Sequence, residues 1–190
     1  MSLIKSISGI RGTIGGKVND NLTPVDVVKF AAAFGTWLQR NHHRKNLTLV
    51  IGRDARISGE MVNSLVTATL QGLGINVIDL GLSTTPTVEV MVPELNADGG
   101  IILTASHNPK QWNALKLLNE KGEFINGENG AEVLRIADNE DFEFAEVDDL
   151  GKYETRTDGF DIHISKILAL PMVDAEAVKA KKFKVVMDAV

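Results

Sequence analysis

Apolar residues fall along this chain in two patterns, short continuous runs and stripes at a three-to-four-residue spacing. Leu47-Thr48-Leu49-Val50-Ile51-Gly52, Ile75-Asn76-Val77-Ile78-Asp79-Leu80 and Gly100-Ile101-Ile102-Leu103 are runs of the first kind and predict buried strands. Thr23-Pro24 opens a helix: threonine suits the N-cap, proline the first turn, and Asp26 the positive end of the dipole. Val27, Ala31, Phe34 and Leu38 then give that helix an apolar face. Ser58 predicts the cap of a second helix through Leu73, with Met61, Leu65 and Ala68 inward, and Pro86 starts a short third helix reaching about Val92. Ala114 to Leu118 reads as a further strand, and its short connection from Leu103 makes it antiparallel. Alternation of this kind predicts an α/β fold, a mixed, mostly parallel sheet sandwiched between helices with right-handed crossovers.

The pattern changes toward the C-terminus. Asp138 to Asp149 holds seven carboxylates and no Lys or Arg, which reads as a solvated segment near a domain edge. A new unit is expected to begin near Tyr153, with helices over Gly159–Leu170 and Asp174–Lys182 and a strand over Phe183–Asp188. An apolar strand there would lack partners, so residues 1–150 are expected to form one domain and 151–190 a truncated stub of a second.

Composition narrows the class. A chain of 190 residues with 44% hydrophobic content can bury a sizeable core. It has no cysteine, which excludes disulfides and thiolate metal sites. The N-terminus lacks a basic segment followed by a long apolar one, and no apolar run approaches the roughly 20 residues of a membrane helix. A net charge of −5 argues against a nucleic-acid partner. A soluble, cytoplasmic protein with no membrane partner is expected.

The chemistry concentrates where the Gly100–Leu103 run ends, in Thr104-Ala105-Ser106-His107-Asn108-Pro109, followed by Asn113 and Lys116. Loops beyond strand ends are where open α/β sheets hold ligands. Ser106 is a candidate nucleophile or phosphate carrier there, and Lys116 a candidate base or electrostatic partner. Asn108 suits fixing the loop backbone, as Asx side chains hold turns.

The hexapeptide, with Asn113-Ala114-Leu115-Lys116 after it, resembles the signature of the α-D-phosphohexomutases, the phosphoglucomutase, phosphomannomutase and phosphoglucosamine mutase enzymes. Ala114 stands where that family usually has glycine. Ser8-Gly9-Ile10-Arg11-Gly12 is similar to the family's Gly-Ile-Arg-Gly loop, and Gly52-Arg53-Asp54-Ala55-Arg56-Ile57-Ser58-Gly59 to its Gly-x-Asp-x-Arg-x-Ser-Gly segment. The resemblance implies that Ser106 carries a phosphoryl group, that Lys116 is the general base or acid, that Arg11 is an electrostatic clamp and that His107 orients the phosphoserine or substrate. It implies Mg²⁺ bound through the Ser106 phosphate, with the remaining ligands in a second domain. It implies hexose phosphate substrates that pass through a hexose 1,6-bisphosphate, and a chain that is inactive alone.

Other readings carry different signatures. Ser106 and His107 are sequence neighbours, whereas a hydrolase pair needs side chains that converge in space, and no Gly-x-Ser-x-Gly elbow occurs. Gly9-Ile10-Arg11-Gly12 and Gly15-Gly16 match neither nucleotide-binding fingerprint. A non-catalytic phosphosugar-binding or regulatory domain on the same fold is the remaining alternative. Arg53, Asp54 and Arg56 are expected to form an internal salt-bridge network bracing the loops rather than an anion site. His42-His43 lies near a helix end, where imidazolium suits the dipole, and His163 lies on an amphipathic helix with no function assigned.

Overall fold

Side chains on successive strand residues point to opposite faces of a sheet, and here both faces are apolar. The computed structural model describes residues 2–6, 9–42 and 46–188. Its seven strands are β1 (Ile4–Ser6), β2 (Gly9–Thr13), β3 (Thr48–Arg53), β4 (Asn76–Leu82), β5 (Gly99–Leu103), β6 (Trp112–Leu118) and β7 (Tyr153–Thr155). They form one sheet in the order β1-β2-β6-β5-β3-β4-β7. Strands β5, β3, β4 and β7 are mutually parallel, while β6 is antiparallel to both β5 and β2, and β1 antiparallel to β2. The strand at Ala114–Leu118 is thus antiparallel, as its short connection requires.

The helices are α1 (Pro24–Asn41), α2 (Gly59–Gly72), α3 (Thr85–Glu94), α4 (Gly127–Asn139), α5 (Gly159–Leu168) and α6 (Ala175–Lys181). Leu49, Ile51, Ile101, Leu103, Leu115 and Leu117 share one core with buried residues of α1, α2 and α4. Val50, Ile102 and Leu118, the alternate positions, share the other with Val88, Met91 and Val92 of α3. The result is a three-layer α/β/α arrangement whose strands are buried on both sides, which is why they read as continuous apolar runs.

Thr23 caps α1 as its sequence predicts, in a capping box with Asp26. At the middle of α1, a Cβ on Gly35 would lie 2.5 Å from Leu73 Cδ1, so glycine lets α1 approach the end of α2. The inward face of α2 differs from expectation. Val62, Val66 and Leu70 are fully buried, whereas Met61 is 40% exposed and Ala68 is exposed. Two adjacent stripes both satisfy helical spacing, and contact with α1 selects the Val62 stripe. Ser58 precedes α2 but makes no side-chain cap; its Oγ instead accepts a 2.9 Å bond from Asn113 Nδ2.

Three elements depart from the sequence reading. Gly9–Thr13 is a strand rather than a loop, held between β1 and β6. Gly9 has φ +113°, and a Cβ there would lie 2.3 Å from the Leu115 carbonyl oxygen, so glycine is required. Helix α4 has no counterpart in the apolar pattern because it buries little, only Val133, Ile136 and Ala137, and opens on Gly127-Glu128-Asn129-Gly130. Asn126 Oδ1 caps it by accepting from the Asn129 amide at 2.9 Å. Phe183–Asp188 is exposed and forms no strand, because no described strand lies beside it to complete a ladder.

Past residue 150, β7 pairs with β4 and α5 lies against α3. The acidic stretch is mostly exposed, and two of its carboxylates are paired: Asp138 with Lys5 at 2.9 Å and Asp141 with Arg40 at 3.0 Å. No described helix is long and apolar enough to cross a membrane.

Candidate active site

Strand β5 delivers the chain to the sheet edge fully buried through Ala105, and the next residue emerges. Ser106 is exposed and has φ +56°, a left-handed conformation rare for a residue with a Cβ. Its amide donates to Thr104 Oγ1 at 3.1 Å, and its Oγ lies 3.4 Å from His107 Nδ1. Asn108 ties the turn as expected: its amide and its Nδ2 both donate to the Ala105 carbonyl, at 3.0 and 2.8 Å. Strained backbone beside an exposed hydroxyl is a recurrent feature of functional sites.

The four residues singled out from sequence converge on one cavity of about 170 Å³, which Arg11, Ser106, His107 and Lys116 line together with Asn108 and Thr104. Arg11 reaches it from β2, where it is paired in register with Ala114 of β6, another lining residue. The alanine therefore stands in regular strand, in a position that needs no positive φ. The Arg11 Nε is buried and has no hydrogen-bond partner among the described residues. Lys116 extends from β6 opposite Ile102, with its Nζ 5.6 Å from the ring centroid of Phe124. A cation at that distance from an aromatic face is attracted to it. Phe124 carried no signal in the sequence, since nothing in its neighbourhood foretells the fold back onto β6.

Among the described residues no carboxylate lines the cavity, whereas Arg11 and Lys116 both do. A concave site with cations of one sign favours an anionic ligand. Among the described residues no group of three or more His, Asp or Glu side chains could hold a metal ion.

Arg56 is the hub of the loop. Its Nη2 donates to the carbonyls of Ser106 and Asn108, both at 2.8 Å, and its Nη1 to those of Pro109 at 2.9 Å and Trp112 at 3.1 Å. Its Nε donates to Asp54 Oδ2 at 3.1 Å. The loops are braced here, but not by the expected salt-bridge network: apart from the pair with Asp54, Arg56 engages backbone carbonyls. Arg53 contributes less, reaching the exposed Glu60 at 3.3 Å and the Asp54 carbonyl.

His42 and His163 lie away from this cavity. His42 sits at the end of α1, 3.6 Å from Asp98, and His163 Nδ1 lies 3.0 Å from Thr87 Oγ1. Ser8 and His43 fall outside the described residues. A larger hollow of about 350 Å³ lies at the opposite, N-terminal end of the strands, beside Leu47 and Ile75, and no cation or exposed nucleophile among the described residues lines it. Ligands in such sheets bind beyond the C-terminal strand ends, where Ser106 sits.

These features define an α/β/α domain with a cationic, serine-bearing pocket at the C-terminal edge of its parallel strands. Residues 3–144 match the family described as phosphoglucomutase/phosphomannomutase, alpha/beta/alpha domain I. The chain is 38% identical over 180 residues to a phosphoglucomutase/phosphomannomutase of Thermococcus kodakarensis, covering 93% of this chain and 38% of that protein. It is 33% identical over 189 residues to a phosphoglucosamine/phosphogalactosamine mutase of Sulfurisphaera tokodaii, covering 99% of this chain and 39% of that protein. Among solved structures, a Thermus thermophilus protein assigned as a phosphomannomutase superposes with a TM-score of 0.76 at 27% identity, over 94% of this chain and 38% of that one. The chain belongs to the phosphoglucomutase/phosphomannomutase family and corresponds to its first domain. It spans less than half the length of these relatives.

Proposed function

We propose that this chain is the phosphoserine-bearing domain of an enzyme that interconverts hexose 1-phosphates and hexose 6-phosphates through a hexose 1,6-bisphosphate. The observation that carries the reading is the single cavity in which an exposed, left-handed Ser106 meets Arg11, Lys116 and His107 with no carboxylate among them. Phosphoryl transfer asks for positioning and for positive charge around the moving group, and these residues supply both.

In the forward half-reaction the bond between phosphorus and Ser106 Oγ breaks as a sugar hydroxyl oxygen bonds to phosphorus. Lys116 takes the proton that the hydroxyl loses and returns it to Ser106 Oγ, which leaves as the serine hydroxyl. Arg11, which lines the cavity, holds the phosphoryl oxygens. His107, within 3.4 Å of Oγ, orients the phosphoserine. The bisphosphate then reorients and returns its other phosphate to Ser106. A phosphate on Ser106 is the ligand this chain offers to Mg²⁺, which when bound would neutralise charge on the phosphoryl group. The other metal ligands, and the loops that read the sugar and its distal phosphate, would lie in further domains, so these 190 residues alone are expected to show no turnover.

Ser106→Ala in the complete polypeptide tests the reading. After incubation with hexose 1,6-bisphosphate, intact-mass spectrometry should find one phosphate on the wild type and none on the variant, and mutase turnover should be lost. Normal turnover by the variant would overturn the assignment, and binding of hexose phosphate without any phosphoserine would favour a non-catalytic phosphosugar-binding domain.

A further inference from the structure

We infer that Arg56 is the positioning residue that sets the phosphoryl-accepting geometry of Ser106; this rests on the phosphoserine reading above. An arginine side chain has five N–H donors in a fixed planar fork. Here Nε goes to Asp54 and the two terminal nitrogens to the carbonyls of Ser106, Asn108, Pro109 and Trp112. The side chain is only 12% exposed, so little water competes for those bonds. One planar group thus fixes three points of a loop that has no regular structure, including the residue with φ +56°, and the first residue of β6.

The anchor is itself fixed. Asp54 accepts the Arg56 backbone amide through Oδ1 at 3.0 Å, and the Asp54 amide donates to the Leu103 carbonyl at 3.1 Å, at the end of β5. The guanidinium is therefore referenced to the strand that delivers Ser106. Each carbonyl oxygen it engages is also one fewer acceptor facing an arriving phosphate. Its permanent charge lies beside a serine that would carry about −1.5 to −2 charges when phosphorylated. Lysine cannot reproduce this, since it places a single point charge and no planar fork.

Arg56→Lys in the complete polypeptide is the test, read three ways. Hydrogen–deuterium exchange should accelerate over residues 104–113 while α1 and α4 keep their protection. The turnover number should fall about 100-fold, the scale on which a misplaced reacting group is felt. KM for hexose phosphate should stay within about twofold, because the lost interaction serves the transferring group more than substrate binding. Should Arg56→Lys fail to fold, Asp54→Asn substitutes for it: loosening the Nε anchor should lower turnover roughly tenfold, the worth of one charge-assisted bond. Unchanged exchange over 104–113, or faster exchange with unchanged turnover, would overturn the inference while leaving the phosphoserine reading intact. Absence of phosphoserine from the wild type would sink that reading, and this inference with it.

Discussion

Two irregular loops meet at the active-site edge of the sheet, and each is organised by one charged side chain of opposite sign. Residues 14–23 close around Asp26, which is fully buried and accepts the amides of Asn19 at 3.0 Å and Thr23 at 3.1 Å, along with the Thr23 hydroxyl. Residues 104–112 close around Arg56, which donates to four of their carbonyls. The loops touch where the Ile14 amide donates to the Gln111 carbonyl at 2.8 Å. Asp26 sits at a helix N-terminus, where a carboxylate gathers backbone N–H groups and also suits the dipole. Its loop ends closed. The arginine gathers carbonyls instead and leaves the Ser106 hydroxyl in solvent. A carboxylate brace here closes its loop, and a guanidinium brace leaves a hydroxyl exposed.

The comparison is broken most directly at Asp26. Asp26→Ala removes the capping-box partner of Thr23 and the acceptor of the Asn19 amide, while the Thr23 amide keeps the Asn21 carbonyl at 3.2 Å, at a cost of about 2 kcal/mol. Thermal or urea unfolding of the 190-residue chain would measure it. A loss under about 1 kcal/mol, by the scale of a single ordinary hydrogen bond, would mean that the loop is held by something else.

A second buried carboxylate sharpens the rule. Asp79 accepts Asn63 Nδ2 at 2.6 Å, the Gly81 amide at 2.7 Å and the Tyr153 hydroxyl at 2.7 Å, tying α2, β4 and β7 together. Tyr153 keeps its ring partly in water but turns its hydroxyl onto this carboxylate. Burial, and then the bond to Asp79, push the phenol above its usual value near 10. A folded-state pKa raised in this way adds stability that is fully present below pH 10 and lost as pH rises through the raised value. Tyr153→Phe should therefore cost about 1 kcal/mol at neutral pH, reduced from the usual range for a charged acceptor because the site is half open. The deficit against wild type should shrink above pH 10 in denaturant titrations. Mutase turnover should not change, and a large loss of turnover would contradict a purely structural role for this carboxylate.

How much of this was legible in the sequence depends on where the information is held. Strands β3 and β5 announce themselves because both faces are buried, and α1 because Thr23, Pro24 and Asp26 write its start in the chain itself. Strands β1 and β2 stay hidden because their strand character comes from pairing, with glycines at positions 9 and 12 masking it. Helix α4 hides for a related reason, since two glycines in its first turn look like a loop and its apolar face is narrow. At the site, motif spacing brings Arg11, Ser106, His107 and Lys116 into view, and the structure gathers all four around one cavity. The carbonyls that Arg56 engages leave no trace in residue identity, because every residue has one. The left-handed Ser106 is equally silent, since nothing but the surrounding bonds imposes it.

That last point carries the smallest effect and the sharpest contrast. A left-handed conformation costs an L-residue roughly 1–2 kcal/mol, and glycine is free of that cost but loses about 0.5–1 kcal/mol through greater freedom in the unfolded chain. Ser106→Gly should therefore raise the stability of the chain by about 0.5 kcal/mol, because the left-handed penalty exceeds the entropy that glycine gives up. The hydroxyl it removes makes no bond shorter than the 3.4 Å approach to His107, so little is lost from the folded state. The same substitution should abolish phosphorylation. A variant that gains stability while losing all function is the mark of a residue kept in strain for its chemistry. Denaturant unfolding of wild type and variant side by side decides the matter: a destabilised Ser106→Gly would show that the serine hydroxyl, rather than Arg56 and its carbonyls, maintains the turn.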